Sequence, residues 1–251
     1  MTDVNSAIEW RRTVVFMTLS GLFLGSLTML NILGTSRFID LGTPTIPFNL
    51  AVGVLPYPIT FLCTDLISEL FGRKKANLVV WIGLMLNLWV LLILWLGGIL
   101  DAPDNLTDTG QIPLVLDEFG KAPAGYAFYE IRHLTFVSVI ASMVAYLFAQ
   151  LVDVQIFHWI KKKTKGKKLW LRNNISTLMS QMIDSIAVIL ITFYLADVIH
   201  VKDPSESVLP QLFTQFIIPG YVFKLVIALL DTFPFIWCTK FFKKYLHLTE
   251  N

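Results

Sequence analysis

Hydrophobic positions in this chain fall into long blocks separated by short polar stretches. Six blocks are long enough to cross a bilayer, which takes about 20 apolar residues per helix. They lie near 14–34, 46–71, 76–100, 132–160, 173–198 and 212–240. No block alternates with the period of two expected of barrel strands, and lipid cannot satisfy open backbone groups, so each predicts a helix. The expected fold is all-α, a polytopic membrane protein in which residues 1–251 form a single domain of six transmembrane helices.

Lys and Arg follow the same division. Arg11, Arg12, Arg73 to Lys75, seven residues between Lys161 and Arg172, and Lys240, Lys243 and Lys244 flank one side, fifteen in all. Only Arg37, Lys121, Arg132 and Lys202 flank the other. Every loop agrees, which places both termini in the cytoplasm by the positive-inside rule. The first block is too long for a signal peptide and lacks a small-residue cleavage pattern, so it reads as a retained helix. The outer connection from Asp101 to Glu130 reads as a solvated spacer, with a lid over an external entrance as the other reading, and the inner run KKKTKGKKLWLR as a topology anchor, with binding of anionic membrane lipid or a partner subunit as the other.

Polar positions inside the blocks change this picture. A charged residue at the centre of a membrane helix costs roughly 2.5–3.5 kcal/mol, so it needs a partner, water or a ligand. The spans hold Asp65, Glu69, Asp153, Asp184 and Asp231 against one comparable cation, Lys224. In the fourth block Ser138, Ser142, Tyr146, Gln150 and Asp153 recur at three- and four-residue spacing. The fifth repeats this with Asn174, Thr177, Gln181, Asp184 and Ser185. Each set shares one helix face. Ser138, Ser142 and Thr177 read as interhelical hydrogen-bonding residues, Gln181 and Asp184 as ligand-facing ones. In the first block, Gly21 and Gly25 have the spacing of a close helix contact.

The second block, with YPITFLCTDLISELFGRKK at 57–75, carries most of the candidate chemistry. Pro56 and Pro58 lack the amide hydrogens of a continuous helix. The segment therefore reads as a short outer half followed by a helix starting near Ile59 or Thr60, with a simple proline kink as the other reading. Asp65 sits below the break. Glu69 lies four residues before Arg73, a spacing that suits either an interfacial ion pair or a ligand contact. In the last block Pro219-Gly220 marks a break, Pro234 lies just beyond Asp231, and Lys224 is expected to snorkel outward, with a contact to Asp231 two turns away on the same face as the other reading. Tyr57 and Phe61 are candidate platforms for a planar ligand.

Composition narrows the class. The chain is 55% hydrophobic and 15% charged, with a formal net charge of +2. That excludes an ordinary soluble domain and makes nucleic acid an unsuitable partner. Cys63 and Cys238 read as packing residues, and no metal or cofactor is expected. No HExxH, GxSxG or phosphate loop occurs, so neither an intramembrane enzyme nor an ATPase is expected.

Two motifs resemble those of the queuosine precursor transporter family, also called the vitamin uptake transporter family. PITFLCTDLISELFGRKKA (58–76) is similar to its Pro-x-Thr-Phe-x-x-x-Asp-x-x-x-Glu-x-x-Gly-basic pattern, and NNISTLMSQMIDSIAVI (173–189) to its Asn-Asn to Gln-x-x-Asp pattern. Ser185 and the long outer connection depart from it. The resemblance implies a six-helix inner-membrane importer of 7-cyano-7-deazaguanine, 7-aminomethyl-7-deazaguanine or queuine, with Asp65, Glu69, Gly72, Asn173, Gln181 and Asp184 as matched positions. Such a purine-like base offers adjacent N–H donors that a carboxylate accepts side by side, and a carbonyl that takes a donor. Asp184 or Asp65 would hold the donor edge, Gln181 the carbonyl and Asp231 a cationic or hydroxylated substituent. The alternative is a substrate-capture subunit that works with an energising ATPase. A homo-oligomer is compatible with either reading.

Overall fold

Twenty-residue apolar runs satisfy their backbone groups only as helices, and helices make up almost all of the computed structural model. It describes residues 2–34, 36–43, 47–100, 114–117, 120, 122–123, 125–165, 169–196, 199 and 207–247. The side chains of Arg73, Gln150, Asp153, Asn173, Asn174 and Thr177 are outside that description, as are residues 101–113 of the outer connection.

In chain order the elements are α1 (Thr2–Leu33), β1 (Phe38–Asp40), β2 (Asn49–Ala51), a 3-10 turn (Val52–Val54), α2 (Tyr57–Phe71), α3 (Arg73–Ile99), α4 (Tyr126–Lys163), α5 (Leu169–Ala196), α6 (Val208–Leu212), a π turn (Phe213–Ile217) and α7 (Ile218–Tyr245). Six helical segments are long and apolar enough to span a membrane: Ser6–Leu33, Val52–Phe71, Lys74–Ile99, Tyr126–Tyr146, Leu178–Leu195 and Val208–Tyr245. The chain is therefore an all-helical, multi-pass membrane protein. Its only described strands are β1 and β2, three residues each, paired antiparallel with Ile39 opposite Leu50.

The second span departs from its expected bounds of 46–71. Residues 49–51 are extended, Val52–Val54 make one 3-10 turn, and α2 begins at Tyr57 rather than at Ile59 or Thr60. Pro56 is its N-cap, and Pro58 sits in its first turn. A first-turn proline costs nothing in hydrogen bonds because that N–H has no partner within the helix. The Pro56 carbonyl accepts from the amides of Ile59 (3.1 Å) and Thr60 (3.2 Å), and Thr60 Oγ donates to the Tyr57 carbonyl at 2.7 Å. In the last span the helix is unbroken at Pro219-Gly220. The chain instead widens into the π turn just ahead of the proline, and the Ile218 amide reaches back to the Phe213 carbonyl. The missing N–H of Pro219 is absorbed by that wider register.

The described chain divides into two compact units. The first comprises Met1–Leu30, Gly53–Trp89 and Val222–Asn251, and the second Asn31–Val52 and Val90–Tyr221. The core of the first unit is built from Val15, Leu19 and Phe23 of α1, Cys63, Leu66, Ile67 and Leu70 of α2, and Ala76 and Val79 of α3. Phe235, Cys238 and Phe242 of α7 pack against it. Both cysteines are free thiols, as expected of packing residues. The close helix contact is made not by Gly21 and Gly25, whose missing side chains would meet nothing within 4 Å, but by Gly83. A Cβ there would lie 2.7 Å from Leu27 Cδ2. In the second unit Leu212, Phe216 and Ile217 pack with Ile186, Ile189, Leu190 and Phe193 of α5 and with Phe38 of β1.

Candidate functional site

Helices α2 and α7 of the first unit carry most of the charged residues in its spans, and their side chains meet in the same order along both helices. Near the start of α2, Lys224 Nζ of α7 lies 5.2 Å from the centroid of the Tyr57 ring. Further along, Asp65 of α2 lies within electrostatic reach of Asp231 of α7, as do the thiols of Cys63 and Cys238. Lys243 Nζ then meets Glu69 Oε1 at 2.6 Å. Pairs in the same order along both helices mean that α2 and α7 run parallel. A rise of 1.5 Å per residue separates Lys224 from Asp231 by about 10 Å and Tyr57 from Asp65 by about 12 Å, so the two levels match on both helices.

Each level has its own character. Lys224 is only 8% exposed, so it does not snorkel outward as its sequence position suggests. Its ammonium is held over an aromatic face, an arrangement worth more when desolvated than in water. Tyr57 and Phe61 make an edge-to-face pair with centroids 5.0 Å apart, which fixes the ring that Lys224 covers. At the acid level Asp65 is exposed and Asp231 half-buried. An exposed carboxylate in an apolar span faces either lipid, which is costly, or an aqueous or ligand-filled path. The Glu69–Lys243 pair is partly exposed, at 43% and 29% for the two side chains, and its contribution to stability is small.

The expected Glu69–Arg73 pair involves the side chain of Arg73, which lies outside the described residues. Gly72 ends α2 with φ +86°, a left-handed conformation that suits glycine, and Arg73 opens α3. Among the described residues the cation that Glu69 meets is Lys243 of α7.

Helices α4 and α5 of the second unit treat their polar residues differently. Ser142 Oγ donates to Asn31 Oδ1 at 3.2 Å, an interhelical hydrogen bond of the expected kind. Ser138 is buried at 4% exposure and Thr135 at 0%. Ser185 Oγ donates to the Gln181 carbonyl of its own helix at 3.0 Å. Gln181 and Asp184 lie three residues apart on α5, both half-buried. The amide oxygen of Gln181 is buried without a hydrogen-bond partner among the described residues. Such an acceptor loses its solvation without compensation unless something else donates to it. Asn173 lies on α5, with its side chain outside the described residues.

Sequence patterns did not single out two buried glutamines at the π turn. Gln215 Nε2 donates to Gln211 Oε1 at 3.3 Å, and the residues are 7% and 6% exposed. Their four-residue spacing just ahead of Pro219 was the available signal. Among the described residues no group of three or more His, Cys, Asp or Glu side chains is arranged to hold a metal ion.

Comparison with known proteins bears on both helix pairs. Residues 51–238 match the family described as "Putative vitamin uptake transporter", a stretch that includes α2, α4, α5 and most of α7. A Bacillus subtilis (strain 168) protein named "Probable queuosine precursor transporter" is 30% identical over 151 residues, 59% of this chain and 59% of that protein. The "Queuosine precursor transporter" of Escherichia coli (strain K12) is 24% identical over 206 residues, 82% of this chain and 80% of that protein. No solved structure matches the chain. With three quarters of its length inside the family match, the chain belongs to the vitamin uptake transporter family and is a transporter rather than an enzyme.

Proposed function

We propose that this protein imports 7-deazaguanine bases, the precursors of queuosine, across the cytoplasmic membrane. The observation that carries the reading is Asp65, an exposed carboxylate in an apolar span within electrostatic reach of a second carboxylate, Asp231. A carboxylate in a span needs compensation, and the adjacent N–H donors of a deazaguanine supply it in a planar, bidentate form. Asp65 lies within the stretch that matches the family, whose named relatives are queuosine precursor transporters.

In this reading Asp65 and Asp231 accept the donor edge of the base, and Phe61 lines the ring. Gln181 and Asp184 are required for transport as well. The orphan amide oxygen of Gln181 supports a polar contact there, and Asn173 shares the same family-like motif. Glu69 ties α2 to α7 instead of touching the base. Both termini face the cytoplasm, as the fifteen-to-four division of basic residues favours.

The test is uptake of radiolabelled 7-cyano-7-deazaguanine into bacteria that lack their own transporter and deazaguanine synthesis and express only this chain. The expected result is accumulation of label in the cell and in tRNA. Intact expression with no uptake would contradict a stand-alone importer. Recovery of uptake on co-expressing an ATPase module would then favour a capture subunit.

A further inference from the structure

Arg132 lies within the first two turns of α4, in the span that opens at Tyr126 of the second unit. Side chains on a helix lean toward its N-terminus, which carries the guanidinium back toward the membrane surface where α4 begins. There it meets Gly98, next to last in the α3 span Lys74–Ile99. A Cβ on Gly98 would lie 2.5 Å from Nε, 2.6 Å from Cζ and 3.0 Å from Nη2 of Arg132, so glycine is what leaves the guanidinium room to lie on α3. At the adjacent Gly97 a Cβ would stand 2.8 Å from Cζ of Phe128. Two glycines thus open a slot at the end of α3 that takes one ring and one guanidinium. The slot holds the cation without neutralising it. Arg132 Nε is buried with no hydrogen-bond partner, and no ion pair includes Arg132 among the described residues. Cζ lies 5.7 Å from the Phe136 ring, which attracts the charge but accepts none of the N–H groups in the guanidinium plane. A guanidinium stays protonated in proteins, so it cannot shed the charge. The residue is half-buried, which leaves part of it within reach of a ligand. One turn along α4 the Thr135 hydroxyl is fully buried and likewise lacks a partner.

We propose that Arg132, seated on Gly98, holds the phosphate group of a membrane phospholipid against the ends of α3 and α4. Charge calls for an anion, and the planar fork of N–H donors suits the paired oxygens of a phosphodiester. The surroundings select a lipid over a soluble anion. Ile99, Leu100 and Ile131 beside the slot are exposed and apolar, and a molecule with a phosphate at one end and acyl chains at the other meets both requirements. The slot lies at the end of α3 remote from Lys74 and Lys75, and at the end of α4 remote from the basic run that begins at Lys161. Those clusters attract anionic lipid by charge alone. At Arg132 a single cation does so by geometry, and the lipid is bound whatever base the protein carries.

Native mass spectrometry of the purified protein in mild detergent, titrated with phosphatidylglycerol, reads the affinity for the first bound lipid. Arg132→Gln is expected to weaken it about tenfold or more, through loss of hydrogen bonds to a charged group. Gly98→Ala should weaken it at least about threefold, because the new Cβ displaces the end of a flexible side chain and leaves the backbone in place. Lys244→Gln, which removes an equal charge near the end of α7, should change it less than about twofold. Equal losses in Arg132→Gln and Lys244→Gln would mean diffuse attraction and overturn the proposal. Unchanged affinity in Arg132→Gln, the result if a carboxylate of the chain itself neutralises Arg132, overturns it too. If Arg132→Gln does not fold, Gly98→Ala decides, and unchanged affinity there overturns the proposal. A glucosyl diacylglycerol with the same acyl chains and no phosphate should bind the wild type about tenfold more weakly than phosphatidylglycerol; equal binding contradicts a phosphate site. Millimolar inorganic phosphate should leave the lipid bound, and displacement would assign the site to a soluble anion and overturn the lipid.

Discussion

Helices α2 and α7 set charged residues against one another across the helix pair, whereas α4 and α5 place uncharged hydroxyls on a carbonyl of their own helix or on an amide of a neighbour. On α5, Ser185 donates to its own helix at Gln181, and on α4, Ser142 reaches a single amide oxygen on Asn31. A hydroxyl has one proton to place, and a backbone carbonyl one turn away can take it. A carboxylate has no proton to give and cannot be satisfied by carbonyls, so Asp65, Asp231 and Glu69 must look beyond their own helix. Polar periodicity alone therefore marks packing as readily as function. Charge in a span is the sharper indicator, and among charges the exposed, uncompensated one is sharpest of all.

Substitutions can break this contrast. Asp231→Asn is expected to produce the largest effect, lowering uptake of the nitrile base about tenfold or more, because a charge-assisted hydrogen bond to the donor edge is replaced by a neutral one. Initial-rate uptake at matched expression measures it, and a loss of less than twofold would remove Asp231 from the site. Glu69→Gln should cost no more than about threefold, in keeping with a partly exposed pair. The exchanged double variant Glu69→Lys with Lys243→Glu should recover uptake relative to Glu69→Lys alone. Failure to recover would mean that Glu69 does more than tie α2 to α7. Ser142→Ala should leave uptake unchanged and lower stability by about 0.6 kcal/mol, the average for an interhelical hydrogen bond in a membrane protein. Thermal unfolding in detergent reads that difference.

Hydropathy made the six spans legible because the cost of exposed backbone in lipid leaves helices little competition. What it could not reveal was where polar backbone begins. The stretch around 46–56 is apolar enough to extend the second span, yet it is partly extended, and α2 begins at Tyr57. Spacing along one helix also says nothing of partners from another: the contact of Glu69 with Lys243 comes from α7, 174 residues on. The spacing of Gly21 and Gly25 signals a close approach without specifying a partner, and Gly83 makes the contact instead. Asp65, by contrast, was legible from its position alone, since no residue one turn away on α2 offers it a countercharge. Lys224 was visible as an anomaly in an apolar run, but its burial over Tyr57 depends on α7 lying alongside α2, a tertiary fact that no local pattern encodes.

The central claim is that Asp65 reads the donor edge of the substrate. Its most direct test is equilibrium binding to the purified protein of 7-cyano-7-deazaguanine and of 7-cyano-7-deazahypoxanthine, which lacks the exocyclic amine, for the wild type and for Asp65→Asn. The wild type should bind the first at least about tenfold more tightly, and Asp65→Asn should narrow that gap to within about threefold. A gap of the same size in both proteins would show that the donor edge is held elsewhere and would contradict the account.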